Sequence, residues 1–242
     1  MSNIKNRIRK NSTLAEIIIL LVGIILTWCS GQNQLLSGIG TSIVASAVIV
    51  FMTDVFIGTE ENEALKQWGL ETVYQTRGEM NRACDYYLPR AKTVCVIAFG
   101  LKSWRDSQQK QIEDLLGRGG IIRIITMKPE SDNLRAREKD ECTIENDISY
   151  RIKALLAWAN EENRKGFKGR IEIRYHDRQP LDFLFLMDNR LFTGPYEYGK
   201  DSQQTISFEY NCHGAAYAYY RNYFEMLWND KDFCTDALQD HV

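Results

Sequence analysis

Thr93–Met127 reads TVCVIAFGLKSWRDSQQKQIEDLLGRGGIIRIITM, and its parts differ in period. Thr93–Phe99 (TVCVIAF) is continuously apolar and rich in β-branched residues, which predicts a strand buried on both faces. Trp104–Leu116 puts Ile112, Leu115 and Leu116 at helical spacing, with Ser103 as the expected N-cap and Gly117 after the end. The Gly-Arg-Gly-Gly turn at 117–120 leads to Ile121–Met127 (IIRIITM), a second buried strand. A strand, a crossover helix and a returning strand specify a parallel pair.

The pattern continues outward from this unit. Asp140–Lys165 carries Ile144, Ile148, Ile152, Leu155, Leu156 and Trp158 at helical spacing, and Gly169–Tyr175 (GRIEIRY) alternates like a strand with one wet face. Leu181–Met187 (LDFLFLM) predicts a buried strand, Arg190–Thr193 its hairpin partner and Gln204–Tyr210 a further strand. Ala215–Asn229 closes the chain as an aromatic-rich helix, expected in the core or on a dimer face. The order of elements predicts an α/β sandwich with a mixed, partly parallel sheet. On the N-terminal side, Leu65, Trp68, Leu70 and Val73 predict one stalk helix within 59–80.

Residues 1–58 are different material. Leu14–Cys29 and Leu35–Ile57 are apolar runs of roughly 24 and 35 Å as helices, against a hydrocarbon core of about 30 Å. A cleaved signal peptide would share the basic start (Lys5, Arg7, Arg9, Lys10), but no Ala-x-Ala-type site follows Cys29 and a second apolar run begins six residues later. The expectation is a two-span transmembrane helical hairpin with both chain termini in the cytoplasm, because the cations lie before the first span. Trp28 suits an interfacial anchor. Gly38, Ser42 and Ser46 form a small-residue stripe on the second span, suited either to packing on the first span or to self-association of several chains. Glu16 and Asp54 are expected near the cytoplasmic interface.

Composition narrows the function classes. The 242 residues carry 30 Lys+Arg and 32 Asp+Glu, with pI near 6.0 and mean hydropathy −0.35. Four of those cations and two of those anions lie in residues 1–58, so residues 59–242 hold 26 against 30, a net −4. An acidic domain argues against binding a nucleic-acid polymer. The six cysteines show no Cys-x-x-Cys, and only Cys212-His213 are adjacent, so reduced thiols are expected, with neither metal nor cofactor.

The stretch YHDRQPLDFLFLMDNRLFTGPYEYG (175–199), with FGLKSWRD upstream and YYRNYFEMLW near the end, resembles one repeat of the phospholipase D superfamily. That family carries His-x-Lys-x4-Asp on a hairpin, followed by a Gly-Ser/Pro-type turn. Asp188 falls at the motif acid and Gly194-Pro195-Tyr196 at the turn, but Leu181 stands at the histidine and Phe183 at the lysine. Neither side chain can attack or neutralise a phosphate, so the resemblance implies a degenerate, non-catalytic domain, with no catalytic residue assigned. It also implies a homodimer or higher homo-oligomer, because active members pair two such repeats.

Open α/β sheets bind ligands beyond the C-terminal ends of their strands. The candidates there are Lys102 and Ser103 after the first strand, Lys128, Arg135 and Arg137 after the second, and Tyr175, His176 and Arg178 after the third. Tyr196 and Lys200 come from the later turn, with Tyr198 beside them. Cations interleaved with tyrosine suit phosphates and stacked bases. A membrane hairpin joined to such a domain resembles bacterial antiviral effectors of the inner membrane. That resemblance implies a cyclic nucleotide, made by a partner enzyme, that activates or silences the assembly of membrane-disrupting hairpins in the bilayer. The alternatives are a membrane-tethered phosphodiesterase or phospholipase acting on lipid head groups, and a catalytically dead dimerisation module.

Overall fold

The structure is a computed structural model that describes residues 17–31, 33–141, 144–178 and 182–238, with side chains of 53–63 outside that description. The chain divides into two compact units, Met1–Leu65 and Lys66–Val242.

In the first unit, helix α1 (Ile17–Cys29) is joined by a turn to the start of helix α2 (Gln34–Trp68). Gln34–Met52 has mean hydropathy 2.1, long and apolar enough to cross a membrane; the described part of α1 is shorter. The helices meet through Gly23 and Gly40: a Cβ on Gly40 would lie 2.7 Å from the Thr27 amide nitrogen and 2.9 Å from the Gly23 carbonyl oxygen. Gly40 and Ala47 are the buried positions of this stretch of α2. The expected stripe of Gly38, Ser42 and Ser46 is therefore not the face that meets α1. It is exposed, and a Cβ on Gly38 would touch nothing within 4 Å.

The expected stalk helix ends early. Gly69 adopts φ +75°, which terminates α2, and Leu70–Tyr74 is strand β1. Helix α3 (Arg77–Tyr87) then starts at Thr76, whose side chain accepts from the Glu79 amide while Glu79 accepts from the Gln75 amide. The helix expected over 140–165 is α6 (Asp147–Arg164), which begins after Asn146 takes φ +65°, and a further helix, α5 (Asp132–Asp140), precedes it. The remaining helices are α4 (Lys102–Gly117) and α7 (Ala215–Asn229).

Strands β2 (Thr93–Ile97), β3 (Ile121–Met127), β4 (Arg170–His176), β5 (Asp182–Met187), β6 (Arg190–Pro195), β7 (Ser207–Asn211) and β8 (Thr235–Asp236) complete one eight-stranded mixed sheet, ordered β1-β7-β6-β5-β2-β3-β4-β8. The β2–β3 and β3–β4 pairs are parallel and every other pair is antiparallel. Alternation sorts the side chains. Val94, Val96, Ile122, Ile124, Phe183, Phe185 and Phe192 enter the core with α4 and α6 residues such as Trp104, Leu115 and Leu155. Cys95, Ile97, Ile125, Leu184, Leu186 and Leu191 face α7, where Tyr217, Phe224, Leu227 and Trp228 cover them. Five cysteines (Cys29, Cys84, Cys95, Cys212 and Cys234) are free thiols; Cys142 lies outside the described residues. Burial pushes the Cys95 and Cys234 thiols up to about 12 and about 11, which leaves them unreactive at neutral pH.

Gly69 also packs against Gly214 at the start of α7: its added Cβ would lie 2.7 Å from the Gly214 Cα. Gly69→Ala is expected to destabilise the chain by about 2 kcal/mol or more, through positive φ and the clash. Gly117→Ala, whose Cβ would meet only Phe167 at 4.0 Å, serves as the comparison in thermal unfolding and should be unaffected or slightly stabilised.

Candidate functional site

β2, β3 and β4 end at one edge of the sheet. The antiparallel register Ile97↔Leu184 and Asp182↔Pro195 brings the start of β5 and the end of β6 to the same edge. The pairing Tyr74↔Ser207 adds the end of β1, and with it the first residue of α3.

On the α4/α6 face, this edge holds a cleft lined by Arg77, Asn81, Gly100, Lys102, Ser103, Trp104, Glu141, Arg151, Tyr196 and Gln203. Its walls are built closely. Gly100 is required because a Cβ there would lie 2.8 Å from the Arg151 carbonyl carbon. Leu101, the N-cap of α4, sits at φ +51° and contributes no side-chain cap, so the first amides of α4 keep their capacity to bind an anion.

Arg77 is the distinctive group. It is 6% exposed, and its guanidinium lies 3.6 Å above the Phe183 ring and 4.8 Å from the Tyr196 ring centroid. Its NH2 donates to the Thr205 hydroxyl at 3.4 Å, and its buried Nε–H has no partner among the described residues. No carboxylate among the described residues forms an ion pair with it, and burial lowers its pKa. The indole Nε1 of Trp104, also at the cleft, is a second buried donor without a partner among the described residues. Orphaned donors beside a buried cation fit an anion.

The residues expected from sequence divide among several places. Lys102, Ser103 and Tyr196 line this cleft. Arg137 lies beside it at 2% exposure, but Glu141 neutralises it through contacts of 2.6 and 3.0 Å. Its ring contact with Tyr196 (5.2 Å) makes it a support for that wall. Ser103 is inside α4, not its N-cap. Lys128 and Tyr175 line a separate hollow at the β4–β8 edge. Arg135 pairs with Asp132 at 3.3 Å, Lys200 pairs with Glu197, and Tyr198 is exposed. His176 and Arg178 lie on the α7 face, in a different pocket. Sequence reasoning missed Arg77 and Arg151; Arg77 was hidden inside the expected stalk helix.

Asp188 has a role away from the cleft. Its carboxylate accepts from the Lys92 and Thr93 amides at 2.8 and 2.9 Å, at the opposite end of β2. Phe183 is fully buried beneath Arg77, and Leu181 lies outside the described residues. No group of three or more His, Cys, Asp or Glu among the described residues could hold a metal.

Neither a protein-family model nor a curated protein matches the chain. Among solved structures it is similar to TrmBL2, an archaeal chromatin protein with a novel mode of DNA binding: 13% identity, TM-score 0.42, over 78% of this chain and 68% of that one. It is also similar to NucT from Helicobacter pylori: 9% identity, TM-score 0.42, over 68% of this chain and 97% of that one.

His176 is 2% exposed and its ring stacks on Phe233, at 5.4 Å between centroids. Burial pushes its pKa from 6.5 down to about 4, against the opposing pull of Asp177. The unfolded chain therefore takes up a proton that the folded chain refuses. The contribution is complete above pH 6.5 and is lost as pH falls to 4, up to about 3 kcal/mol in all. Asp182, whose carboxyl burial raises, acts with the opposite sign. His176→Gln should flatten the acid limb of the unfolding midpoint between pH 6.5 and 4; an unchanged limb refutes the assignment.

Proposed function

We propose that the chain is a membrane-anchored sensor: its α/β unit takes a phosphate group of a cyclic nucleotide into the Arg77 cleft, and this controls assembly of its helical hairpins in a bacterial inner membrane. On this reading the α/β unit is a degenerate phospholipase D-like domain. Phe183, where the resemblance aligns the phosphate-binding lysine, instead carries Arg77 on its ring.

The observation that carries the proposal is the buried Arg77, which has no ion pair with a carboxylate among the described residues, since the nearby Glu141 is held by Arg137, and which keeps an unused Nε–H. Lys102, the uncapped start of α4 and the Trp104 indole add donors around it. The solvent-accessible volume of the cleft, about 70 Å³, suits one phosphate group, so the rest of a nucleotide lies outside. Arg151 contributes less charge because Asp147 pairs with it at 2.5 Å. In the first unit, Ile17, Ile18, Leu21, Ile25, Val48 and Ile49 are exposed, as contact with lipid requires. The groove along Gly38, Ser42 and Ser46 supports close packing against a second copy, since α1 leaves it open. A ligand biases assembly only by its differential affinity for the assembled and dispersed states.

Isothermal titration of the full-length chain in detergent against inorganic phosphate and a panel of cyclic di- and oligonucleotides tests this reading. At least one cyclic nucleotide should bind, and Arg77→Met should weaken it by about tenfold or more, the worth of a buried charge-assisted hydrogen bond. Absence of binding across the panel overturns the proposal. Gly38→Leu should lower the oligomer population seen by cross-linking in vesicles.

A further inference from the structure

The α7 face of the same sheet edge has a larger pocket that the sensor reading does not use, and its volume is about 340 Å³. Ile97, Ile125 and Leu227 give it an apolar floor. Tyr219 and Tyr223 also line it and are 65% and 41% exposed, so their rings are open to a ligand in the pocket.

Two polar groups in this pocket have unused capacity of opposite kinds. The Asp182 carboxylate accepts from the Tyr220 hydroxyl at 3.3 Å and has no cation or second donor among the described residues. It is an acceptor. The His176 Nδ1 accepts the Arg178 amide at 3.1 Å. In a neutral ring this bond assigns the proton to Nε2, for which no protein acceptor is found among the described residues. It is a donor. Stacking on Phe233 and burial hold the imidazole in place.

We infer that this pocket binds a nucleobase: a planar heteroaromatic ring with an N–H donor beside an acceptor, which pairs with Asp182 and His176 and stacks on the tyrosines. The volume admits such a ring. Stacking on aromatic side chains is tolerant of base identity, and the donor–acceptor pair excludes purely hydrocarbon rings. The inference is independent of the Arg77 cleft, which lies on the other face of the sheet.

The test uses free nucleosides, which have no phosphate to engage the cleft. Full-length protein in detergent is titrated with adenosine, guanosine, cytidine and uridine by saturation-transfer NMR and calorimetry, with N6,N6-dimethyladenosine as the analogue lacking the amino donor. At least one nucleoside should bind. Tyr223→Ala and Asp182→Leu should each weaken it by roughly tenfold or more, whereas Tyr223→Phe, which keeps the ring, should retain it. If adenosine binds, its dimethyl analogue should bind more weakly. Arg77→Met should leave nucleoside binding unchanged, which separates failure here from failure of the sensor reading. Thermal midpoints check that the variants fold. No binding of any nucleoside at millimolar concentration, or equal binding by wild type, Tyr223→Ala and Asp182→Leu, overturns the inference.

Discussion

The junction between β2 and β5 is the constraint on which both candidate sites depend. It joins a parallel half of the sheet to an antiparallel half, with Ile97 opposite Leu184 and Val94 opposite Met187. Asp188 pins this register by holding the Lys92 and Thr93 amides, and the Tyr217 hydroxyl donates to the carbonyls of Met187 and Asp188 from the α7 side. Because side chains alternate, a slip of one residue would exchange the environments of Asp182 and Phe183. Arg77 would lose the ring beneath it, and the α7-side pocket would lose its acceptor. Asp188 therefore acts at the far edge, as the anchor of register.

Charge placement follows the same economy. Glu138 accepts from the Asn146 and Ser149 amides at the start of α6, and Glu141 neutralises Arg137. Glu209 receives the hydroxyls of Tyr74 and Tyr87 and lies 3.7 Å from the Arg190 Nε. Each of these buried acids has its own partner, and among the described residues none forms an ion pair with Arg77. An unpaired buried carboxylate beside that arginine would cancel the feature that makes the cleft attractive to anions. The net negative domain thus keeps a local positive spot in a sheltered place.

How much was legible in the sequence follows from what each residue pattern encodes. TVCVIAF, IIRIITM and LDFLFLM announced buried strands because nothing but two-sided burial explains such runs, and the partly parallel sheet followed from their spacing. β1 was concealed: Leu65, Trp68, Leu70 and Val73 satisfy helical spacing, and only Gly69 in the left-handed region interrupts it. Arg77 was lost with β1, since its position depends on a strand that brings the chain to the sheet edge. Lys102, Ser103 and Tyr196 could be placed together because strand ends are read locally. Lys128, Arg135 and Lys200 shared that local signature but dispersed, because loops after neighbouring strands leave the sheet in different directions. On α2 a small-residue stripe was evident, yet Gly23 on α1 and Gly40 on α2 made the contact.

The two borders of the sheet are both short or irregular. β8 is two residues long, and β1 is five residues with a break in register between Leu70 and Thr72 and an acid, Glu71, within it. Neither presents a long, flat row of free amides and carbonyls to a neighbouring molecule. Growth by strand addition, the route from crowded sheets to fibrils, is thereby discouraged at both borders.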